Sequence, residues 1–257
     1  MKETSKMNKW YKHQLLMECN EVKRFLPETH LYTIDTFWNM MNRNEDIILK
    51  PVFGNGGKGI IKVSKIDHQL YKVYLQKSKN VIVRRNELES LFQERMKGKQ
   101  FLVQTYIPLA KVNGNIIDFR YVAQRKKGEQ EWVITGKYGK IAESGYFTTN
   151  ILNGGTMVSV EEALRHSNIN KLDLEKILAD LEILSLAASK CYSRKFKNQH
   201  IWGYDPAVDE MGQVWLIEAN AAPMVDAFEH KDFLDMHNTV QWYIAYNKRM
   251  RRPRQDS

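Results

Sequence analysis

The feature that most constrains the fold is a glycine-rich segment between two short apolar runs. Gly54, Gly56, Gly57 and Gly59 surround Lys58, and together they form the pattern G-x-G-x-x-G. Glycine permits positive φ values and lets a ligand approach the backbone closely, which is typical of loops that bind phosphate. The segment therefore indicates a phosphate-binding loop, and its surroundings decide which kind.

The residues around the loop predict two strands joined by a hairpin. A dinucleotide-binding fingerprint needs a helix after the glycines and an acid about 20 positions further on, and a Walker A loop needs Ser or Thr after its lysine. Here a β-branched run at 60–64 follows the loop, the nearest acid is Asp67, and Lys58 precedes Gly59. A protein-kinase glycine loop is similar, but the motifs H-R-D and D-F-G are absent from the sequence. Two interpretations remain: a hairpin that covers a nucleotide, or a glycine hairpin without a ligand.

A second hairpin, over residues 201–220, carries two carboxylates and an amide. With the turn centred on Met211-Gly212, Asp205 lies directly opposite Glu218. Asn220 falls on the same face as Glu218, because side chains two residues apart in a strand point the same way. Carboxylates this close repel each other unless a cation lies between them. Oxygen ligands of this kind suit Mg²⁺ or Mn²⁺ held jointly with phosphates, and a surface hairpin with solvated acids is the alternative.

The net charge of +9 comes from 39 basic and 30 acidic residues among 257, and the segment 248–254 carries five of the positive charges. That segment is either an arm for an anionic partner or a solvated tail. The remaining excess is modest and suits an enzyme that handles phosphates or carboxylates. We therefore expect no nucleic-acid partner.

Membrane and redox features point to a cytoplasmic protein. The sequence has no run of 18 apolar residues that would predict a membrane span, and its first residues lack the apolar core of a signal peptide. Cys19 and Cys191 lie far apart in sequence, with no C-x-x-C spacing. This spacing favours a reducing compartment and predicts no disulfide and no cysteine-ligated zinc.

Apolar periodicity predicts an α+β protein of two joined subdomains. Helices are expected at 9–26, 31–43, 87–97 and 172–192, and strands beside the glycine loop and at 70–76, 81–85 and 101–107. Two long strands within 116–141 form a further hairpin, with Asp118 and Arg120 on one face. We divide the chain into a helical segment at 1–43, a small subdomain at 44–105, a large subdomain at 106–247 and a basic tail at 248–257.

Motifs spread over nearly the whole chain resemble those of the ATP-grasp superfamily, and most closely its YheC/YheD-type family of spore-forming bacteria. These motifs are Asn8-Lys9-Trp10, Leu26-Pro27-Glu28-Thr29, Lys50-Pro51 with the glycine loop, Gln104-Thr105-Tyr106-Ile107, Asp118-Phe119-Arg120, Thr149-Asn150-Ile151, and Asp205 with Glu218-Ala219-Asn220. The resemblance implies an ATP-grasp fold, in which two α+β subdomains grip the nucleotide, here as a short form without the N-terminal domain of related ligases.

The resemblance also implies a role for each motif residue. Lys9 and Lys50 resemble the lysines that contact the phosphates of ATP beneath Gly54, Gly56, Gly57, Lys58 and Gly59. The backbone of Gln104, Thr105, Tyr106 and Ile107 is expected to hold the adenine edge, and Asp118 to reach the ribose. Arg120 and Asn150, together with Lys50, are expected to act on the phosphoryl group in transfer. Asp205, Glu218 and Asn220 are expected to bind two Mg²⁺ (or Mn²⁺) ions. An arginine common in a later strand of relatives is replaced by Lys137 or Lys140.

The implied activity is that of an ATP- and Mg²⁺-dependent ligase. It would join a small-molecule or peptide carboxylate to an amine or another nucleophile through an acyl phosphate, with release of ADP and phosphate. Two alternatives stay open: a kinase of the same fold, and a nucleotide-binding structural protein of the spore coat. The expected location is the cytoplasm, and the resemblance allows a forespore or mother cell and an association with the spore.

Overall fold

The fold consists of two antiparallel sheets with helices packed against them. The computed structural model describes residues 4–54, 56–76, 79–149, 151, 154–171 and 173–250. Its helices are α1 (Thr4–Met7), α2 (Lys9–Met17), α3 (Asn20–Lys23), α4 (Ile34–Arg43), α5 (Arg85–Arg95), α6 (Val160–Arg165), α7 (Leu174–Ser193) and α8 (Leu234–Arg249). Its strands are β1 (Thr29–Leu31), β2 (Asp46–Pro51), β3 (Ile61–Lys65), β4 (Leu70–Gln76), β5 (Lys79–Arg84), β6 (Phe101–Thr105), β7 (Lys111–Val112), β8 (Asn115–Gln124), β9 (Val133–Ile141), β10 (Thr156–Val158), β11 (Ile201–Val208) and β12 (Val214–Asn220).

The strands form two separate sheets. The first sheet has the order β1-β6-β2-β3-β4-β5, and the second has the order β10-β9-β8-β11-β12, with β7 beside β8. In the first sheet β2 pairs with β3 in antiparallel register, with Leu49 opposite Ile61. The glycine loop joins these two strands, so the predicted strand–loop–strand hairpin is confirmed.

Helices cover the sheets and enclose three apolar cores. The first core lies between the first sheet and helices α4 and α5, around Phe37 and Phe92. The second core joins α2, α3, α6 and α7 to one face of the second sheet, around Tyr121 and Trp202. The third joins α8 to the opposite face, around Val122 and Phe228. Helices beside antiparallel sheets make this an α+β protein, as predicted.

The N-terminal part of the chain departs from its predicted helices. The helix expected at 9–26 is two helices, because Cys19 has extended backbone angles (φ −110°, ψ 104°) and separates α2 from α3. Residues 29–31, which lie partly before the helix expected at 31–43, form β1 and pair with β6. Thus α2 and α3 pack with the second sheet, whereas β1 and α4 belong to the first. The division into four segments stays a prediction.

The two cysteines form a disulfide, so the prediction of no disulfide is wrong. Cys19 and Cys191 are 172 residues apart in sequence, but their Cα atoms are 6.4 Å apart. The physical reason is the packing of α2 and α3 against α7, which the spacing of the cysteines in sequence does not reveal. Among the described residues, no helix has both the length and the apolar character needed to cross a membrane.

Candidate functional site

A cleft between the two sheets gathers four of the predicted site residues, namely Lys9, Lys50, Gln104 and Glu218. Strands β2 and β6 line it from the first sheet, β12 lines it from the second, and α2 closes one side. Its polar lining consists of Lys9, Lys12, His13, Thr29, Lys50, Gln104 and Glu218. The cleft thus brings together groups that lie up to about two hundred residues apart in sequence.

In the glycine loop, Gly54 and residues 56–58 are exposed, as is Gly59. Gly54, Gly56, Gly57 and Gly59 have φ values of +135°, +64°, +71° and +77°, which L-residues with side chains rarely adopt. The ammonium of Lys9 donates a hydrogen bond to the carbonyl of Gly54. This hydrogen bond connects the glycine loop to the first residue of α2.

Three lysines converge on strand β12 near Glu218. Lys9 Nζ lies 3.4 Å from Glu218 Oε1. Lys50 Nζ donates to Gln104 Oε1 at 2.8 Å and to the carbonyl of Ile217 at 3.1 Å. Lys12, which the sequence analysis did not select, donates to the carbonyl of Ala219. Its position three residues after Lys9 in a helix was a usable signal, because side chains at that spacing share a face.

The lysine cluster is short of negative charge. Burial lowers the pKa of Lys50 to about 8; Glu218 opposes this shift, and Lys9 and Lys12 add to it. Burial likewise lowers the pKa of Lys12 to about 8. Burial and the nearby Lys50 lower the pKa of His13 to about 4, so this side chain is neutral at pH 7. An anion entering the cleft would relieve the repulsion between the three ammonium groups.

A second group of charges lies on the adjoining strands β8, β9 and β11. Lys140 Nζ is 2.8 Å from Asp118 Oδ1 and 2.8 Å from Asp205 Oδ1. Arg120 Nη2 is 3.1 Å from Asp205 Oδ1, and the Arg120 guanidinium also interacts with the Tyr138 hydroxyl. Lys140 is therefore the buried lysine at this site, and Lys137 instead pairs with Glu161 and Glu182 on the opposite face.

Burial and neighbouring cations set the ionisation of the two aspartates. Burial raises the pKa of Asp118 to about 6, against the opposing effect of Lys140. Burial acts in the same direction on Asp205, but the Arg120 guanidinium and the Lys140 ammonium hold the pKa of that carboxyl below its usual value. Asp205 is therefore an anion near neutral pH, and its charge is largely compensated.

The predicted pairing of Asp205 with Glu218 is confirmed, through a bulge that the sequence did not reveal. Val208 pairs with Val214 and Pro206 with Leu216, one residue away from the register expected for a turn centred on Met211-Gly212. A shift between Asp205 and Pro206 restores the expected register, so that Asp205 lies opposite Glu218.

The side-chain oxygens of Asp205, Glu218 and Asn220 have the chemistry that suits a cation shared with phosphates. Asn220 Nδ2 donates to Asp205 Oδ2 at 3.0 Å, while Glu218 contacts Lys9. Among the described residues, no cluster of three or more His, Cys, Asp and Glu side chains could hold a metal alone. Mg²⁺ usually takes only one or two carboxylates from the protein and completes its shell with phosphates and water. Two carboxylates and an amide satisfy that requirement.

Residues 104–107 are only partly available for a ligand. The Gln104 side chain is buried and donates to Thr29 Oγ1 at 2.6 Å. The amides of Thr105 and Tyr106 donate to the carbonyls of Glu28 and Asp46, at 3.0 and 3.3 Å. The adenine contact expected from Gln104, Thr105, Tyr106 and Ile107 stays a prediction.

Two further predicted residues lie near the aspartates or outside the described chain. The Asp118 carboxylate accepts a hydrogen bond from Thr149 and contacts Lys140, so the structure brings it together with Asp205. Its expected contact with ribose stays a prediction. Asn150 lies outside the described residues, and its expected role also stays a prediction.

The fold of this chain is similar to the folds of two solved structures. The structure of the ATP-grasp ligase PsnB complexed with minimal precursor is similar with a TM-score of 0.51 and 13% identity, over 93% of this chain and 61% of PsnB. D-alanyl-alanine synthetase A from Vibrio cholerae is similar with a TM-score of 0.55 and 14% identity, over 94% of this chain and 66% of the synthetase. The chain therefore has the ATP-grasp fold.

Sequence comparison identifies the family within this fold. Residues 2–250 match the family described as YheC/D like ATP-grasp, and the chain belongs to that family. The endospore coat-associated protein YheD of Bacillus subtilis is 26% identical over 234 residues, which are 87% of this chain and 49% of YheD. The endospore coat-associated protein YheC of the same organism is 19% identical over 219 residues, which are 84% of this chain and 60% of YheC. The chain spans about half the length of YheD and 60% of YheC.

Proposed function

We propose that this chain is an ATP- and Mg²⁺-dependent ligase that activates a carboxylate as an acyl phosphate and joins it to an amine or another nucleophile. The observation that carries the proposal is the surplus of positive charge in the cleft. Lys9, Lys12 and Lys50 surround one carboxylate, Glu218, beside a loop of glycines with positive φ values. A triphosphate supplies the missing negative charge, and the exposed loop backbone supplies amide donors for it.

In this proposal the two sheets hold opposite sides of the nucleotide. Lys9 and Lys50 bind phosphate oxygens from the side of α2 and β2, and the glycine loop covers them. Asp205, Glu218 and Asn220 hold Mg²⁺ from the second sheet. The metal, when bound, neutralises charge on the phosphates and favours their reaction with a nucleophile.

In this proposal Arg120 and Lys140 lie beside the γ-phosphoryl group while it is transferred. In the proposal the guanidinium of Arg120, which Asp205 and Tyr138 hold, binds a phosphoryl oxygen. Fixed donors aimed at developing charge account for much of the catalysis of phosphoryl transfer. The bonds between Arg120, Lys140 and Asp205 hold both cations in position.

The proposed chemistry has two steps. A carboxylate oxygen of the first substrate attacks the γ-phosphorus, and the bond between that phosphorus and the ADP oxygen breaks. The resulting acyl phosphate is then attacked at its carbonyl carbon by the amine, which loses a proton as inorganic phosphate leaves. ADP, phosphate and an amide are the products.

Trapping with hydroxylamine tests the first step. Protein, MgATP, hydroxylamine and pools of carboxylic acids or acidic peptides are incubated, and hydroxamate and ADP are measured together. We expect a hydroxamate formed with ADP, because hydroxylamine attacks acyl phosphates. Glu218→Gln is the control and should form no hydroxamate. The variant should stay folded, because the Glu218 side chain is partly exposed and glutamine has nearly the same shape.

Other products would contradict the ligase. A phosphorylated product that is stable to hydroxylamine would assign a kinase. Tight binding of MgATP without ADP release for any acid would favour a nucleotide-binding structural role, which the names of the coat-associated relatives suggest.

Gly57→Val is expected to weaken ATP binding about tenfold or more, since a hydrogen bond from the loop to a charged phosphate contributes about 1.5–3 kcal/mol. Valine resists the φ of +71° at this position and covers the backbone. Gly98→Val is a matched control, because Gly98 also has φ +71° and an added Cβ there meets nothing within 4 Å.

Both glycine variants should lose similar amounts of thermal stability, because both impose the same backbone strain. Only Gly57→Val should lose affinity in a calorimetric titration with MgATP. If the two variants bind MgATP with equal affinity, the loop is a glycine hairpin without a ligand.

A further inference from the structure

Strand β12 lies at the edge of the second sheet and carries two of the proposed metal ligands, Glu218 and Asn220. On its inner side it pairs with β11, and Ala219 lies opposite Tyr204. On its outer side, no strand formed by the described residues is its neighbour. Main-chain groups on that side need other hydrogen-bond partners, because buried unpaired carbonyls are costly.

Beside Glu218, lysine side chains donate hydrogen bonds to main-chain carbonyls on the outer side of β12. The carbonyl of Ile217 accepts from Lys50, and the carbonyl of Ala219 accepts from Lys12. These carbonyls belong to the residues immediately before and after Glu218. The two lysines therefore hold the main chain on both sides of this ligand.

Like Lys50, Lys12 is deeply buried. Its residue is only 5% exposed, and its carbonyl accepts a hydrogen bond from Tyr192 on α7 at 3.4 Å. Lys9, by contrast, reaches the glycine loop and Glu218 directly. The ammonium of Lys12 contacts the main chain of β12, so its effect on a metal passes through Glu218 and Asn220.

We propose that Lys12 is a positioning residue that fixes Glu218 and Asn220 for the divalent cation by holding the carbonyl of Ala219. The inference rests on the proposed function of the cleft and adds a residue that the family motifs of the sequence analysis do not contain. Groups that orient metal ligands typically change metal affinity about 10- to 100-fold when they are removed.

The test separates metal affinity from nucleotide affinity. Lys12→Met keeps the apolar stem and removes the donor. At saturating ATP, the Mn²⁺ concentration for half-maximal binding, followed by electron paramagnetic resonance of free Mn²⁺, should rise about tenfold or more. The affinity for ATP in EDTA should fall much less than the metal affinity, because only the attraction of the Lys12 charge for phosphate is lost there. Lys12→Arg, which keeps a donor, should recover most of the metal affinity.

Lys23→Met is the matched control, because Lys23 is an exposed lysine on the neighbouring helix α3. It should bind Mn²⁺ and ATP as the wild type does. Thermal unfolding of each variant shows whether it is folded. If Lys12→Met is not folded, Lys12→Gln, which has a shorter neutral side chain, replaces it in the same measurements.

Three outcomes would overturn the inference. Unchanged Mn²⁺ dependence in Lys12→Met would show that Lys12 does not position the ligands. An equal loss of affinity with and without metal would make Lys12 a direct phosphate contact instead. A wild-type protein without metal-dependent ATP binding would reject the proposed function itself, and this inference with it.

Discussion

Lys140→Met is expected to lower the free energy of unfolding by about 3–5 kcal/mol, which is the usual loss when one partner of a buried ion pair is removed. Lys140 is 6% exposed and lies 2.8 Å from carboxylate oxygens of both Asp118 and Asp205. Methionine leaves Asp118 buried without its nearest cation, while Asp205 keeps Arg120. Urea unfolding measures the loss.

Lys137→Met is the matched control for this substitution. Lys137 lies on the same strand and pairs with Glu161 and Glu182, but its side chain is 28% exposed. Exposed pairs contribute about 0–1 kcal/mol, so this variant should lose little stability. Adding Asp118→Asn to Lys140→Met should restore part of the loss, because the unpaired charge is removed. Equal losses in Lys140→Met and Lys137→Met would contradict the account of a buried ion cluster.

Glu218→Gln is expected to reduce metal-dependent ATP binding and turnover by at least about 100-fold. Substitution of a residue that merely orients a metal ligand costs about 10- to 100-fold, so loss of a ligand charge should cost more. The fold should be retained, because glutamine has nearly the same shape and Lys9 keeps its hydrogen bond to Gly54. Mn²⁺ binding and ADP release are measured, with circular dichroism as the check on folding.

Glu210→Gln is the control for Glu218→Gln. Glu210 lies in the turn between the same two strands and pairs with Lys111 at 2.8 Å, so it loses a comparable ion pair outside the cleft. Its metal-dependent binding should match that of the wild type. If both variants bind MgATP normally, Glu218 is not a metal ligand.

Local patterns predicted the parts of the site that lie within single hairpins. The apolar runs beside the glycine loop predicted β2 and β3, and counting from the turn predicted that Asp205 faces Glu218. The second result was correct although the strand ends near the turn are shifted by one residue. A bulge corrects that shift, and bulges leave little trace in an alternating pattern.

Long-range packing produced the features that the sequence did not reveal. Lys12 and Ala219 are 207 residues apart, Lys140 and Asp205 are 65 apart, and the bonded cysteines are 172 apart. Each pair meets only because separate elements pack together. In the same way, β1 has three residues, too few for a periodic signal, and forms because β6 offers an edge.

The proposed function requires that the cleft between the sheets binds ATP together with a divalent cation. The most direct measurement is a calorimetric titration of ATP into the wild-type protein, once with Mg²⁺ and once with EDTA. The account predicts saturable binding of one nucleotide per chain with Mg²⁺, and binding at least about tenfold weaker without it, since the carboxylates otherwise repel the phosphates. No saturable binding in either titration, or equal affinity in both, would contradict it.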